Sequence, residues 1–333
     1  MNPAVVITTI QRPTPSIRRW RSTIGGSVIV VADRKTPDPW ILDGCDVLSV
    51  RKQQQMSFRL LQRLPWNHYA RKMIGYLAAI QQGADILIDT DDDNEPLQPY
   101  EILPQQGVYP RIGRRLGFVN VYRWFTEGRI WPRGFPLRHV VGSVFRFIGD
   151  EGERSGCRIG IWQGLVEGEP DVDAIYRIIV RRRCRFYPKE PLVLEKGSIC
   201  PVNSQNTLFF REAFPLLYLP AFVSFRFTDI LRGLVAQPIL WAADLLVGFT
   251  RPTAFQERNP HNLIQDLRSE IPCYLYAEKV CRIAAETVRK KDGISDNLLR
   301  VYEALLKHRV VQDRELRLLD AWLEDIARLG TPA

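Results

Sequence analysis

Cysteine is sparse and irregular in this chain. The six of its 333 residues (Cys45, Cys157, Cys184, Cys200, Cys273 and Cys281) include no Cys-x-x-Cys pair and no zinc-ligand spacing. That excludes a zinc module and a disulfide scaffold, and leaves reduced, mostly buried thiols in a chain long enough to build its own core. Uninterrupted apolar runs are missing too. The most apolar stretch, Phe214 to Phe249, carries Arg226, Asp229, Arg232 and Asp244, charges too costly for a bilayer, so no transmembrane helix is expected. The first residues lack the basic region and apolar core of a signal peptide. The expected compartment is therefore the cytoplasm, with peripheral association at the inner membrane face open to so basic a chain. No internal repeat or low-complexity segment appears. With 45% apolar and 25% charged residues, the composition is that of a folded globular protein.

The net charge is +9, and arginine dominates stretches such as 111–115 and 181–183. Guanidinium forks suit phosphates and carboxylates, and such a balance favours anionic ligands or surfaces. No nucleic-acid motif accompanies the charge, and a dense acidic run opposes it, so nucleic acid is not an expected partner.

Val5 to Ile10 is a β-branched run that predicts a buried strand, as do Ser27 to Ala32, Cys45 to Val50 and Ala84 to Ile88. Helical spacing covers Ser16 to Ser22 and Tyr69 to Gln82, the second stopping at Gly83. Strands alternating with helical crossovers imply an α/β fold, Rossmann-like, with a mostly parallel central sheet flanked by helices. Ligands of such sheets bind outside the carboxyl ends of the strands. Short strands are expected at Val140 to Phe147 and Leu192 to Leu194, and a helix from about Ile230 to Val247. From about Cys273 to Leu329 the pattern is strongly helical. The expected division is residues 1–270 as one α/β domain in two halves (1–97 and 98–270), and 271–333 as a helical extension. The apolar face of that extension serves core packing first; homodimerisation, partner docking and membrane contact are its other uses.

Asp89, Asp91, Asp92 and Asp93 directly follow the buried run Ala84 to Ile88. In extended backbone, carboxylates two apart point the same way, so Asp91 and Asp93 converge. Hard oxygen ligands of that kind hold Mg²⁺ or Mn²⁺ and leave positions open for substrate phosphates. The plain alternative is an acidic turn capping the next element.

The run LPWNHYARKMIGYLAAIQQGADILIDTDDDN (Leu64 to Asn94) resembles the core signature of the STELLO family of glycosyltransferase-like proteins. It is more distantly similar to the plant reversibly glycosylated polypeptides, which are nucleotide-arabinose mutases. Ala32 to Pro37 (ADRKTP), Asn203 to Trp241 and Glu257 to Leu267 fit the same pattern, so the resemblance covers about residues 1–280 and omits the helical tail. It implies a GT-A fold, a D-x-D metal motif and a nucleotide diphosphate sugar donor, UDP-linked by preference, with a glycan or lipid-linked acceptor. The resemblance makes the first half of the domain, 1–97, the nucleotide-sugar half and the second, 98–270, the acceptor half. Plant members are Golgi proteins with an amino-terminal anchor, and that placement does not carry over.

Roles follow from position and from this resemblance. Asp91 and Asp93 are the expected metal ligands, with His261 as a third. Asp89 closes the strand end or meets the ribose. Asp33 and Lys35 face the nucleoside from the second strand, and Thr8 and Thr9 from the first. Arg71 and Lys72 match the family's basic pair and would neutralise donor phosphates. Asp229, at a helix start, is the expected base for the acceptor hydroxyl, or else a helix cap, and Arg232 one turn on orients it or a sugar group. Trp66, Tyr69, Trp124, Trp131 and Trp162 are open to sugar stacking or to core packing. Three functions compete: glycosyl transfer, nucleotide-sugar mutation, and a non-catalytic role in a polysaccharide-synthesising complex.

Overall fold

The computed structural model describes residues 1–113, 117–144, 153–180, 184–257 and 262–330. Among these, the strands in chain order are β1 (Pro3–Thr9), β2 (Ser27–Ala32), β3 (Cys45–Leu48), β4 (Ile86–Thr90), β5 (Asn94–Pro96), β6 (Gln106–Ile112), β7 (Gly117–Phe118), β8 (Glu153–Gly168), β9 (Leu192–Leu194), β10 (Ser198–Ile199), β11 (Asn206–Phe210) and β12 (Leu246–Gln256). The helices are α1 (Pro15–Thr23), α2 (Val50–Gln54), α3 (Lys72–Gln81), α4 (Tyr122–Phe125), α5 (Leu137–Val144), α6 (Ala174–Ile179), α7 (Thr228–Ala242), α8 (Leu263–Thr287), α9 (Ile294–Lys307) and α10 (Asp313–Arg328).

Ten strands form one sheet in the order β3-β2-β1-β4-β11-β8-β6-β9-β12-β5, and β7 pairs with β10 apart from it. The first four are mutually parallel, as the β-branched runs predict. Beyond β4 the sheet is mixed: β11 runs antiparallel to β4 and β8, while β12 runs parallel to β8 and antiparallel to β9 and β5. Side chains alternate across the parallel half. Val5, Ile7, Val28 and Val30 meet Ile17 and Trp20 of α1 on one face. Ala4, Val6, Ile29 and Val31 meet the α3 side on the other, which is why these strands read as continuous apolar runs.

Two details of this packing place the site. Gly75 lets α3 lie close on the sheet: a Cβ there would stand 2.5 Å from Val6 Cγ1 and 2.7 Å from Val31 Cγ2. α3 thereby packs on β1 and β2, and Lys72, buried at its amino-terminal end, reaches the Thr90 carbonyl at the carboxyl end of β4. Trp20 of α1 donates from Nε1 to the Asn94 carbonyl at 2.8 Å, tying the residues after β4 to the opposite face.

Two boundaries differ from expectation. Val140 lies in a helix rather than a strand: Pro136 precedes α5, and its carbonyl accepts the His139 amide. The rest of that stretch, 145–147, lies outside the described residues. The helix expected to reach Val247 stops at Ala242, because Asp244 takes φ of 55° and turns the chain into β12. The carboxy-terminal helices share the larger core with α3 and α7. Their buried carboxylates satisfy backbone elsewhere. Glu315 accepts Ala221 N (2.9 Å), Phe222 N (2.8 Å) and the Tyr218 hydroxyl (2.6 Å), and Asp325 accepts Arg59 N and Leu60 N. No helix among the described residues is long and apolar enough to cross a membrane.

Candidate active site

A cleft of about 400 Å³ opens at the carboxyl ends of β1, β2 and β4. Eight residues singled out from the sequence line it: Thr8, Thr9, Asp33, Lys35, Arg71, Asp91, Asp93 and Asp229. Three others, Lys72, Asp89 and Arg232, lie beneath its floor, each at most 2% exposed.

Those three explain the floor. Lys72 Nζ donates to the Thr90 carbonyl at 2.7 Å and to Asp91 Oδ1 at 2.8 Å, and stands 2.9 Å from Asp89 Oδ1. Arg232 Nη1 donates to Asp89 Oδ2 at 2.8 Å, and its Nη2 holds Asn203 O and Ser204 Oγ. Two carboxylates and two cations therefore form a near-neutral buried network. Of the two roles expected for Asp89, its burial agrees with closing the strand end. Lys72 braces the acidic turn from below where donor phosphates were the expected partner, and Arg232 holds Asp89 and the 203–204 loop where Asp229 or a sugar group was. Burial drives each outcome, since a charge enclosed this fully needs fixed partners.

The acidic residues do not run on as the extended segment expected: Asp92 and Asp93 form a turn, with Asn94 N donating to the Asp91 carbonyl at 3.3 Å. Asp92 points towards β1, where Oδ2 accepts the Thr9 hydroxyl at 2.5 Å, and its carbonyl accepts Thr14 Oγ1 at 2.6 Å. Asp91 and Asp93 line the cleft, as does the rest of Asp92. Burial pushes the Asp91 carboxyl up to about 7; Lys72 opposes that rise and Asp93 adds to it. Asp93 Oδ2 accepts Gln256 Nε2 at 2.8 Å, and Gln256 in turn accepts Gln205 Nε2 at 2.5 Å. Asp93 Oδ1 is buried with no hydrogen-bond partner among the described residues. Among the described residues no three His, Cys, Asp or Glu side chains form a ready metal cluster. Mg²⁺ and Mn²⁺ take one or two carboxylates and complete their shell from water and substrate phosphates, so a pair with an unsatisfied oxygen fits such an ion. The further expected ligand, His261, lies outside the described residues, as does the 181–183 arginine cluster.

Across the cleft stands a residue the sequence did not single out. Arg133 grips Asp229 through Nη1 (3.0 Å) and Nη2 (2.7 Å), and Asp171 through Nε (2.8 Å) and Nη2 (2.8 Å). Ser204 N also donates to Asp229 at 3.2 Å. Burial works to raise the Asp229 pKa, but Arg133, with Arg232 and the Ser204 amide, brings the carboxyl below the usual range. An ionised carboxylate clamped in this way is a weak base and a strong hydrogen-bond acceptor. Arg226 and Arg177 line the same wall, each backed by a glutamate, Glu270 and Glu169. Arg133 comes from the aperiodic Trp131-Pro132-Arg133-Gly134 turn, where only a charge between helix-breaking residues marks it. Gln205 and Gln256 carried no sequence signal.

The remaining expected residues are placed as follows. Asp33 lines the cleft, but its carboxylate accepts Arg34 N (2.7 Å), Asn67 N (2.9 Å) and His68 N (3.0 Å), fixing the turn before α3. The Thr9 carbonyl is taken by the Thr36 hydroxyl at 2.6 Å. Arg71 is buried, with Nε on Gln53 at 3.0 Å and its guanidinium 3.5 Å from the Trp66 ring centroid. Trp124, Trp131 and Trp162 belong to the core, whereas Tyr69 lines the cleft.

Residues 226–332 match the sequence model described as STELLO glycosyltransferases. Over 349 aligned residues the chain is 28% identical to "Probable glycosyltransferase STELLO1" of Arabidopsis thaliana, covering 98% of this chain and 44% of that protein. For "Probable glycosyltransferase STELLO2" of the same plant the identity is 27%, over 98% and 45%. The chain resembles the STELLO glycosyltransferases. It spans less than half the length of these curated relatives, and the likeness runs through the helical tail, which the sequence reading had left out of it. Among solved structures, glucosyl-3-phosphoglycerate synthase from Mycobacterium tuberculosis, crystallised with Mn²⁺, UDP and glucosyl-3-phosphoglycerate, aligns at TM-score 0.42 and 14% identity, over 84% of this chain and 80% of that one. A structure titled only as a mycobacterial protein aligns at TM-score 0.41 and 12% identity, over 94% and 76%.

Proposed function

We propose that this chain is a metal-dependent glycosyltransferase domain of GT-A type, using a nucleotide diphosphate sugar, UDP-linked by preference, and a hydroxyl acceptor on a glycan or lipid-linked sugar. The observation that carries the reading is the pairing of Asp91 and Asp93 at the end of β4, facing one cleft with the ends of β1 and β2. The likeness to proteins described as probable glycosyltransferases supports it.

Asp91 and Asp93 would hold Mn²⁺ or Mg²⁺, which when bound supplies positive charge to stabilise the departing nucleoside diphosphate. Lys72 keeps Asp91 in place from below. On the opposite wall Asp229, fixed by Arg133, accepts hydrogen bonds from sugar hydroxyls and so orients the reacting groups; its depressed pKa makes it a positioning acceptor more than a proton store. Asp33 acts through the turn it secures.

Calorimetric titration with a panel of nucleoside diphosphates and nucleotide sugars, in Mn²⁺ and then in EDTA, tests the assignment. Binding that requires the metal and favours one nucleoside is expected. Absence of nucleotide binding in both conditions would remove the transferase reading and leave a scaffold.

A further inference from the structure

His68 lines the same cleft, and its geometry defines what it can offer a ligand. The Nδ1 atom accepts the Ala70 amide at 3.0 Å, capping the single turn Tyr69–Arg71 that leads into α3. A ring nitrogen that accepts carries no proton, so in the neutral ring the proton sits on Nε2. The backbone is fixed just as firmly. Asn67 takes φ of 53°, and the Asp33 carboxylate holds the amides of both Asn67 and His68. Burial lowers the His68 pKa, Asp33 opposing, which favours the neutral form. His68 therefore presents one fixed N–H donor and no acceptor.

Its place in the cleft says which part of a nucleotide it meets. The sheet order β3-β2-β1-β4 puts Asp33, at the end of β2, two strands away from Asp91 at the end of β4. With the diphosphate at Asp91 and Asp93, the strand ends of β1 and β2 receive the nucleoside. On the nucleotide-sugar reading, on which this inference rests, we infer that His68 is the residue that reads the nucleobase, its Nε2–H donating to a ring carbonyl oxygen. Uracil O4 and guanine O6 accept such a bond; the amino groups of cytosine and adenine at the matching positions are donors and oppose it. The site selects bases with a carbonyl rather than an amino group at that position, uracil O4 or guanine O6.

Two substitutions separate this role from the turn that His68 caps. In His68→Asn the side-chain oxygen stands where Nδ1 stood and still accepts the Ala70 amide, while the Nε2 donor is gone. In His68→Gln the amide nitrogen reaches the Nε2 position, while the cap is lost. Affinities for UDP against CDP and GDP against ADP are measured with Mn²⁺ for the intact chain and both variants. The wild type is expected to favour the carbonyl member of the pair it binds by about tenfold or more. His68→Asn should bring that ratio within about twofold at an unchanged melting temperature, and His68→Gln should keep most of it. A wild type that binds CDP as well as UDP, or a His68→Asn variant that retains the ratio, overturns the inference while leaving the transferase reading intact. A wild type that binds no nucleotide overturns both.

Discussion

Replacing Lys72 by methionine removes one charge from a network whose other members cannot move away. Lys72 has 0% side-chain exposure and lies within 2.9 Å of Asp89 Oδ1, Asp91 Oδ1 and the Thr90 carbonyl. Methionine fills much the same volume, so the change is chiefly electrostatic. Breaking a buried ion pair by removing one partner costs roughly 3–5 kcal/mol. Here Asp89 keeps Arg232 and Asp91 is partly exposed, which argues for the lower end, about 3 kcal/mol. With unfolding entropy of roughly 2.1 cal/mol/K per residue over the 333-residue chain, that corresponds to a fall in Tm of about 4 °C. The loss should depend on pH. The Asp91 pKa, already near 7 in the folded chain, rises further once Lys72 is gone. A carboxyl whose folded pKa lies above its unfolded value contributes stability at low pH and loses it as pH rises through the folded pKa. The deficit of the variant should therefore be small at about pH 6 and larger at about pH 8, growing until pH passes the variant's own Asp91 pKa. Mn²⁺ should restore the variant more than it stabilises the wild type, because it replaces the missing cation. Thermal melts at both pH values, with and without Mn²⁺, give all four numbers. A variant that melts within about 1 °C of wild type at the higher pH would refute the buried network as described.

Asp91→Ala should abolish metal-dependent nucleotide binding in calorimetry while leaving the metal-free melting temperature near that of wild type, since it also relieves a crowded carboxylate; normal donor binding with Mn²⁺ would disprove the metal assignment. For Asp229→Asn, donor affinity should persist and turnover should collapse, because Arg133 loses a charged partner at the wall that orients the sugar; unimpaired transfer would reduce Asp229 to a structural anchor. Glu315→Ala strips acceptors from two backbone amides and the Tyr218 hydroxyl. At roughly 1–3 kcal/mol for each buried donor left unpaired, a loss of about 3 kcal/mol or more is expected in denaturant unfolding, and a change below about 1 kcal/mol would contradict the reading of the tail as part of the core.

The parallel half of the sheet was legible because its strands are buried on both faces. Ser27-Val28-Ile29-Val30-Val31-Ala32 has no polar interruption, so composition alone marks it. The acidic turn was legible for a related reason: carboxylates directly after such a strand stand at the sheet's ligand-binding edge. The other half escaped. Strand β8 carries Gly156, Gly160 and Gly164 along sixteen residues, and β12 contains Arg251 and Pro252, so neither shows an apolar run or clean alternation. Arg133 and Asp171 meet only through tertiary packing, with no local pattern to announce them. Lys72 and Arg232 were noticed as charges but assigned to the ligand, because sequence shows that a charge is present and not whether it is enclosed. Their burial is what converts them from ligand contacts into the brace beneath Asp91.

That brace has a consequence for the proposed reaction. A buried ion network adds little net stability compared with apolar residues of the same volume, because desolvation offsets the attraction between its members. Its effect lies in placement: Lys72 and Arg232 balance Asp89 and part of the charge of Asp91, leaving Asp92 and Asp93 as the anionic side of the cleft. An entering diphosphate meets that side unfavourably. Arg133, Arg177 and Arg226 compensate only in part, since each is already engaged by carboxylates, which leaves Lys35 and Arg71 as the other cations lining the cleft. On the proposed reading a cation that binds before, or together with, the nucleotide relieves the rest of that repulsion. Asp93 Oδ1, buried and unpartnered among the described residues, is the group through which that order would be favoured.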